Sequence, residues 1–465
     1  MFIRKSGIAV PFILLSTMFS WFVSFLLHDP LTPSFMNNYG FKYSDIIYGV
    51  LNPRFNPANI EAKTYWYRFD KLQIMWRGGS TTIYPYVDFK LEYPPLIGLM
   101  YFVSINLAYK AVAHCGGLTN YTCYREFLYI NYLVHSLIIL VFHVSTASLL
   151  IRVFKEERKS FSRIPIYIFT PSMLIYMIYN WDLICSFFTI LSVYLYIRNK
   201  IRSSALTLSL AILTKLVPIL ITITLVAIHI LKFITRRIEW NELKQFIYKY
   251  LITNIIIVTI PLIILYIANP NALIDFYKHH RYWYCENCIY QVFERNLFSE
   301  KHVIYALTTL ALTLTCITII FSYNKTLVKD DIWKLFFIIT VSFISLSYIS
   351  SPQMILLATP FLPLIMDNIV TKIYLKADLL NALGILFFFK DAELRECLVK
   401  LGFNVKIEYN PWSIPSPTQL LFLTRSILLL AIVVYVTISM IRENMLLEKI
   451  VVIIKNKLSM HKVRG

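Results

Sequence analysis

Long apolar runs alternate with short basic segments along the whole chain. The clearest uncharged runs cover residues 7–27, 127–151, 251–268 and 303–323. Each of them reaches the ~18–20 residues that an α-helix needs to cross the hydrocarbon layer of a membrane. The pattern therefore predicts an all-α polytopic membrane protein, and it excludes a soluble globular domain.

The basic segments predict the orientation of these runs. Arg4 and Lys5 precede the first run, so the positive-inside rule places the N-terminus in the cytoplasm. The first run lacks a convincing small-residue cleavage site, and we interpret it as an uncleaved first span. Residues 28–126 then form a large first loop outside, and residues 269–302 form a second loop on the same side.

Shorter runs complete a predicted bundle of about twelve spans with both termini cytoplasmic. They cover residues 164–180, 183–197, 203–215, 216–231, 335–349, 354–366, 379–389 and 420–441. Pro218 lies near the junction of two of them and predicts a pair of broken helices, which occur at membrane depth where backbone lines a cavity. Residues 96–112 predict an interfacial or re-entrant helix, because a crossing there would invert every later span. The basic tail at 449–465 is expected inside.

The amino-acid composition indicates a membrane environment, and this environment explains the high net positive charge. The chain is 57% apolar and 15% charged, whereas soluble domains are about 45–50% apolar. Its formal net charge is +19. The basic residues cluster between apolar runs, which is typical of membrane topology, so we expect contact with membrane lipid and no nucleic-acid partner.

Two pairs of cysteines fall in the predicted outer loops. Cys115 and Cys123 are close enough in the first loop to be a disulfide candidate in an oxidising compartment. Cys285 and Cys288 form the motif CENC in the second loop. That pair is compatible with two free thiols, with a local disulfide, or with a zinc site that would need two more ligands, for which the adjacent histidines at 279 and 280 are the nearest candidates.

Polar residues collect at the predicted outer ends of the spans. They are Asp45, Tyr48, Tyr86, Asp88, Glu92, Tyr93, Asn180, Trp181, Asp182, Lys215, Arg281 and Gln353. Helix caps, snorkelling lysines and the aromatic belt explain such residues one at a time. These single-residue explanations do not account well for four carboxylates at the same membrane surface. Carboxylates beside the fixed cations Lys215 and Arg281 predict a pocket for an anionic head group together with a base.

The order of these motifs resembles a known superfamily. YSDIIY, PYVDFKLEYPPLIG, NWDL, TKLVPIL, an outer-loop arginine and SPQ follow one another between about residues 40 and 360. In this order they are similar to the GT-C integral-membrane glycosyltransferases that use polyprenyl-phosphate sugars. The likeness is greatest to mannosyltransferase-like members and more distant to the first mannosyltransferase of GPI-anchor assembly. It implies a catalytic region at 1–370 and a C-terminal membrane region at 371–465.

The resemblance implies a role for each candidate residue. Asp45 matches the catalytic carboxylate of the first outer loop, while Lys215 and Arg281 would bind the donor phosphate. The other nine polar residues would bind the sugar or the acceptor. The GPI enzyme has a second acid where this chain has Ile47, which argues against a two-acid metal site and leaves a divalent metal as an option only. No cofactor is firmly implied, and the active site is expected on the extracytoplasmic face of the cell membrane.

The resemblance further implies an inverting transfer of a hexose, mannose before glucose, from a polyprenyl- or dolichyl-phosphate sugar to a glycolipid or glycan acceptor. Linkage, oligomeric state and any accessory subunit stay open. A multi-span transporter or lipid flippase is the alternative class. Scarce acids at mid-membrane depth and the lack of an evident repeated half argue against it.

Overall fold

The computed structural model describes residues 2–323 and 328–462, and it describes side chains for 9–323 and 328–442. The described residues build an all-α fold, in which only isolated bridges pair extended segments and no strand forms. The side chains of Arg4 and Lys5 and those of the basic tail predicted at 449–465 lie outside the described side chains. Their predicted cytoplasmic position stays a prediction.

The helices follow one another in this order. The first nine are α1 Phe2–His28, α2 Asn52–Phe55, α3 Phe69–Trp76, α4 Pro95–Ala111, α5 Tyr121–Glu156, α6 Ile164–Ile168, α7 Pro171–Tyr176, α8 Asp182–Ile197 and α9 Ile201–Thr214. The others are α10 Ile219–Ile234, α11 Trp240–Phe246, α12 Ile252–Ala268, α13 Pro270–Arg281, α14 Lys301–Tyr323, α15 Lys329–Leu346, α16 Asn368–Phe388, α17 Asp391–Lys400 and α18 Pro417–Lys462.

Five described helical segments are long and apolar enough to cross a membrane. They are Ala9–His28, Tyr121–Glu156, Trp240–Ala268, Lys301–Tyr323 and Pro417–Arg442. Three apolar helices, α8, α9 and α10, are shorter. The long apolar helices indicate a membrane protein, whereas the count of about twelve spans stays a prediction.

Helices α15 and α12 differ in burial, which distinguishes the core of the bundle from its outer surface. Helix α15 is buried on every side along most of its length, including Leu335, Phe336 and Phe337, so it lies in the core of the bundle. Helix α12 instead exposes Ile256 and Ile260, which leaves an apolar outer surface suited to lipid. The core is therefore assembled around α15, with the apolar face of α12 outside it.

Prolines lie at the positions where several predicted spans are divided into shorter helices. Helix α9 ends at Thr214 and α10 begins after Pro218, which confirms the predicted pair of broken helices. The span predicted at 164–180 is wrong, since Pro171 starts a new helix there and divides the run into α6 and α7. The span predicted at 354–366 is also wrong. That segment forms two short 3₁₀ helices, in which Pro360 has no backbone N–H to continue an α-helix.

Arg54 holds the first loop (residues 28–126) together. This fully buried guanidinium donates to the carbonyls of Val50 and Lys90 at 3.0 and 2.9 Å, and to both carboxylate oxygens of Glu92 at 2.5 and 2.6 Å. The arginine therefore ties the Asp45–Leu51 turn to the stretch that precedes α4.

Candidate functional site

A cavity of about 970 Å³ lies where the first loop, the second loop (residues 269–302) and the helix ends meet. Among the predicted site residues, those that line it are Asp45, Glu92, Tyr93, Asn180, Lys215 and Gln353. Aromatic and apolar side chains form most of the rest of its wall. Six residues from five separate parts of the sequence thus line one cavity, which is the kind of site that binds a small organic ligand.

Asp45 begins a π-helical turn, Asp45–Leu51, at the cavity wall. The turn is anchored because Ile46, Ile47 and Val50 are almost completely buried. The backbone N–H of Asp45 also donates to the carbonyl of Tyr179 at 2.9 Å. The backbone that carries the carboxylate is therefore fixed by packing and by a hydrogen bond to the segment before α8.

Two side-chain amides hold the Asp45 carboxylate. Asn180 Nδ2 donates to Asp45 Oδ2 at 2.8 Å, and Gln353 Nε2 reaches the same oxygen at 3.4 Å. The Asn180 Oδ1 atom accepts the backbone N–H of Trp181 at 2.6 Å, which leaves the NH₂ end of that amide directed at Asp45. No described cation forms an ion pair with this carboxylate, which accepts its hydrogen bonds from neutral amides.

The environment of Asp45 favours its protonated form. Burial, followed by the negative charge of Glu286, raises the pKa of Asp45 to about 7. The hydrogen bond from Asn180 and the positive charge of Lys215 act in the opposite direction. A carboxyl group with a pKa near neutrality can accept a proton and release it again at physiological pH.

Lys215, at the break between α9 and α10, places a cation in the cavity lining, as predicted from the broken helix pair. It lies just after α9 in an extended conformation, and its Nζ atom is 2.5 Å from Asp182 Oδ1. Asp182 is 1% exposed and lies behind the lysine, at the start of α8, outside the cavity wall. Lys215 is 21% exposed and lines the cavity, so its remaining N–H donors are available to an anion.

Glu286 is a cavity-lining acid that the sequence did not single out. Its backbone N–H donates to Tyr348 O at 2.9 Å, and its carbonyl accepts the Ser350 N–H at 2.9 Å. The Trp283 indole donates to Glu286 Oε2 at 2.8 Å. Burial raises the pKa of Glu286, while the hydrogen bonds from Trp283 and Ser351 lower it. The cavity therefore contains two interacting carboxyl groups.

Cys285 and Cys288 flank this acid and form a disulfide, which selects one of the interpretations left open for CENC. The disulfide predicted between Cys115 and Cys123 is wrong, because both are free thiols. Cys123 Sγ donates instead to the carbonyl of Cys115 at 3.2 Å. The covalent constraint therefore lies in the second loop, next to Glu286.

Arg281 lies outside the cavity, so the predicted pair of phosphate-binding cations does not come together. Arg281 is exposed on α13, with its guanidinium 3.4 Å from the Tyr277 hydroxyl. The preceding residues, His279 and His280, line the cavity instead. One step along a helix turns the side chain by about 100°, which separates Arg281 from its neighbours.

Other predicted residues support the wall from behind. Asp88 is fully buried and pairs with Lys71 at 2.8 Å inside the first loop. Tyr86 donates to the carbonyls of Tyr93 and Pro94, both at 2.8 Å. Neither Asp88 nor Tyr86 lines the cavity. Asp88 holds the loop together, while Tyr86 fixes the backbone of two cavity-lining residues and lines a smaller pocket next to the cavity.

Trp181 and Tyr48 are likewise absent from the cavity lining. The ring of Trp181 packs behind Tyr93 at 4.7 Å, and its indole N–H donates to His135 at 3.1 Å. Tyr48 packs against Tyr39 at 5.3 Å. Their predicted contacts with sugar or acceptor would therefore be indirect.

The described residues include two clusters of possible metal ligands. Cys285, Cys288 and His302 form one, but both sulfurs are bonded to each other. His114, Cys115 and Glu126 form an exposed cluster in the first loop. The position two residues after Asp45 is the buried Ile47, so this turn supplies a single acid to the cavity.

Comparisons of the chain with protein-family models, curated proteins and solved structures find no match.

Proposed function

We propose that the chain is a membrane glycosyltransferase of the GT-C type. It would move a hexose, with mannose favoured, from a polyprenyl- or dolichyl-phosphate sugar to a glycolipid or glycan acceptor. The observation that supports this most is the shared cavity, in which the raised-pKa carboxyl group of Asp45 and the cation of Lys215 line one wall. A base and a phosphate-binding cation are what this transfer needs from a protein.

In the proposed reaction Asp45 is the general base. It takes the proton of an acceptor hydroxyl while that oxygen attacks the anomeric carbon of the donor sugar. The bond from the anomeric carbon to the phosphate oxygen breaks, and the electron pair leaves with the lipid phosphate. A single displacement of this kind inverts the anomeric configuration.

Lys215 is proposed to stabilise the departing phosphate. Negative charge grows on the phosphate oxygen as the bond breaks, and a fixed cation beside that oxygen lowers the energy of the transition state. Asn180 and Gln353 keep the Asp45 carboxylate oriented toward the acceptor. His279 and His280 line the same cavity, and burial lowers the pKa of each, so they are neutral hydrogen-bonding groups there.

A smaller apolar pocket beside the cavity suits the lipid part of the donor. Its volume is about 200 Å³, and it shares Tyr93, Pro94, Leu216 and Phe276 with the cavity. Val258 and Leu262 of the apolar helix α12 complete its wall. A polyprenyl chain in this pocket would place its phosphate near Lys215, because Leu216 follows that lysine directly.

The test is a sugar-transfer assay on the purified chain in lipid nanodiscs, with radiolabelled dolichyl-phosphate mannose as donor and a membrane glycolipid extract as acceptor. Replacing Asp45 by Asn keeps the shape and removes the base, so transfer should fall by ~10²–10⁴-fold. Asp70→Asn is the matched control, since this first-loop carboxyl group is 63% exposed and should leave the rate unchanged.

Wild-type turnover by the Asp45→Asn variant would remove Asp45 from this role. Absence of transfer by the wild-type chain from mannosyl and glucosyl donors alike would count against the whole proposal. A flux assay on the same protein in sealed vesicles addresses the transporter alternative, which predicts substrate movement without a change in the lipid donor.

A further inference from the structure

An aromatic wall closes the cavity on the side of the C-terminal region. We define it as Phe388, Phe389, Tyr409 and Trp412, all of which line the cavity. The ring of Trp412 lies 5.4 Å from Phe388 and 5.6 Å from Tyr409, with interplanar angles of 89° and 84°. Edge-to-face packing of this kind fixes the orientation of each ring. The wall thus offers aromatic surfaces in set positions.

A buried ion pair fastens the segment that carries Tyr409 and Trp412. Arg395 Nε donates to Asp391 Oδ2 at 2.8 Å, and their side chains are 2% and 0% exposed. Arg395 also donates to the Asn410 carbonyl at 2.8 Å, and Ser416 Oγ donates to Asp391 Oδ1 at 2.5 Å. A buried charge pair with all these bonds holds the segment between α17 and α18 in one arrangement.

Hydrogen bonds also join the aromatic wall to the second loop, which contributes Glu286 to the cavity lining. Gln291 Nε2 donates to the carbonyls of Trp412 and Cys285, at 3.0 and 3.2 Å. Tyr284, the residue before Cys285, lines the same cavity as Trp412. The segments that carry Glu286 and the aromatic wall are therefore held together by hydrogen bonds at the cavity.

This combination differs from the apolar pocket next to it. That pocket has almost exclusively apolar lining, as an alkyl chain requires. The aromatic wall instead stands beside the hydrogen-bonding groups of Glu286 and Tyr284. A sugar ring matches such a surface, because its C–H face packs on aromatic rings while its hydroxyls donate to a carboxylate. A ligand without hydroxyls would leave the buried polar groups unpaired, which costs binding energy.

We propose that the aromatic wall and Glu286 form a subsite for a sugar ring of the acceptor. The proposal rests on the glycosyltransferase function and specifies where in the same cavity the carbohydrate part of the acceptor binds. It assigns a direct role in substrate binding to the region beyond residue 370.

The experiment measures binding, so that it does not depend on turnover. Methyl α-mannoside and methyl α-glucoside are titrated into the Asp45→Asn protein in nanodiscs and followed by saturation-transfer NMR, with cyclohexanol as the ring without a sugar's hydroxyls. We expect saturable binding of at least one glycoside and about tenfold weaker binding after Trp412→Ala, with Trp412→Phe between the two. Trp240→Ala is the control, because this 57% exposed tryptophan lies at the start of α11.

The outcomes separate this proposal from the proposed function. If cyclohexanol binds as tightly as both glycosides, or if Trp412→Ala and Tyr409→Ala both bind like the parent protein, the sugar subsite is wrong. Sugar transfer by the wild-type chain could still occur in that case, with the sugar of the acceptor bound elsewhere. If glycoside binding depends on Trp412 and no transfer is detected from any lipid-phosphate sugar, the subsite is supported and the enzymatic proposal fails. A thermal midpoint for each variant verifies that the protein without Trp412 or Tyr409 is folded.

Discussion

Asp45 of the first loop and Glu286 of the second loop line the same cavity, and the two loops fix these carboxyl groups by different means. In the first loop Asp45 stands on a turn whose apolar residues are packed into the core. In the second loop Glu286 lies between two cysteines joined in a disulfide, and its backbone pairs with Tyr348 and Ser350. Non-covalent packing suits a long loop with its own core, whereas a short connection has little apolar surface to bury and uses a covalent bond.

Asp45 and Asp88, which the sequence analysis grouped together as site residues, also differ in what holds their carboxyl groups. Asp88 is neutralised by Lys71 within the first loop, while Asp45 is held by neutral amides. A charge-paired acid maintains structure, and an acid that lacks a cation partner is free to exchange its proton. Four changes, from the largest expected effect to the smallest, test this division.

Replacing Asp88 by Ala should damage the first loop most. The Lys71 ammonium, whose side chain is 14% exposed, would lose its carboxylate partner, and so would the Tyr84 N–H that donates to Asp88 at 2.7 Å. Breaking a buried pair in this way costs about 3–5 kcal/mol of unfolding free energy. Thermal unfolding in nanodiscs measures the loss, with Asp70→Ala as the exposed control. An unchanged midpoint for Asp88→Ala would show that the loop does not depend on this ion pair.

The double variant Lys215→Met with Asp182→Asn should impair use of the lipid donor. It removes the cation without leaving Asp182 as an unpaired buried charge. We expect kcat/KM for the donor to fall ~10–100-fold, because one stabilising contact to the phosphate is lost. Arg281→Met is the control and should stay within about twofold, since Arg281 lies outside the cavity. The opposite ranking of the two variants would place the phosphate near α13.

Glu286→Gln should change the pH profile of transfer. Only the deprotonated form of Asp45 can act as a base, so the wild-type rate should rise with pH through about 7. The charge of Glu286 contributes to the raised pKa of Asp45, and its removal should shift this rise to lower pH by about one unit. Rates measured from pH 5 to 9 give the shift. The matched control is Glu294→Gln, an exposed acid in the same loop, and an equal shift in both variants would contradict a specific effect.

Removing the disulfide should have the smallest effect. A Cys285→Ser, Cys288→Ser variant keeps the backbone pairing of Glu286 with Tyr348 and Ser350, but it frees the short loop between the two positions. A loss of roughly two- to fivefold in rate is expected, because so short a covalent loop restrains few conformations. Cys316→Ser, an exposed thiol on α14, is the control. A loss as large as that of Asp45→Asn would mean that the disulfide has a chemical role.

Local patterns in the sequence predicted those parts of the fold that local rules determine. The break around Pro218 and the helices on either side were predicted from proline and apolar periodicity. The convergence of Asp45, Asn180 and Gln353 on one cavity was predicted by placing span ends on a common side, whereas the Asp45 turn and the hydrogen bonds among these three residues were not. The apolar run at 164–180 was misjudged because hydropathy alone cannot distinguish one long helix from two short ones.

The remaining part of the site depends on contacts that no local rule encodes. Arg281 and His280 are adjacent, yet only His280 faces the cavity, and this depends on how α13 packs. Glu286 was overlooked because CENC draws attention to its thiols rather than to the acid between them. The aromatic wall has the same composition as a lipid-facing surface, so Trp412 and Phe388 show their role only after the chain has folded.

The ion pair of Lys215 with Asp182 affects the end of the proposed cycle. A lipid-phosphate sugar carries one negative charge on its phosphodiester, and the lipid phosphate that remains after transfer carries nearly two. An isolated lysine would attract this product more strongly than the substrate. Asp182, 2.5 Å from the ammonium, offsets part of that attraction. The neighbouring aspartate is thus expected to favour departure of the spent lipid, and to make room for the next donor.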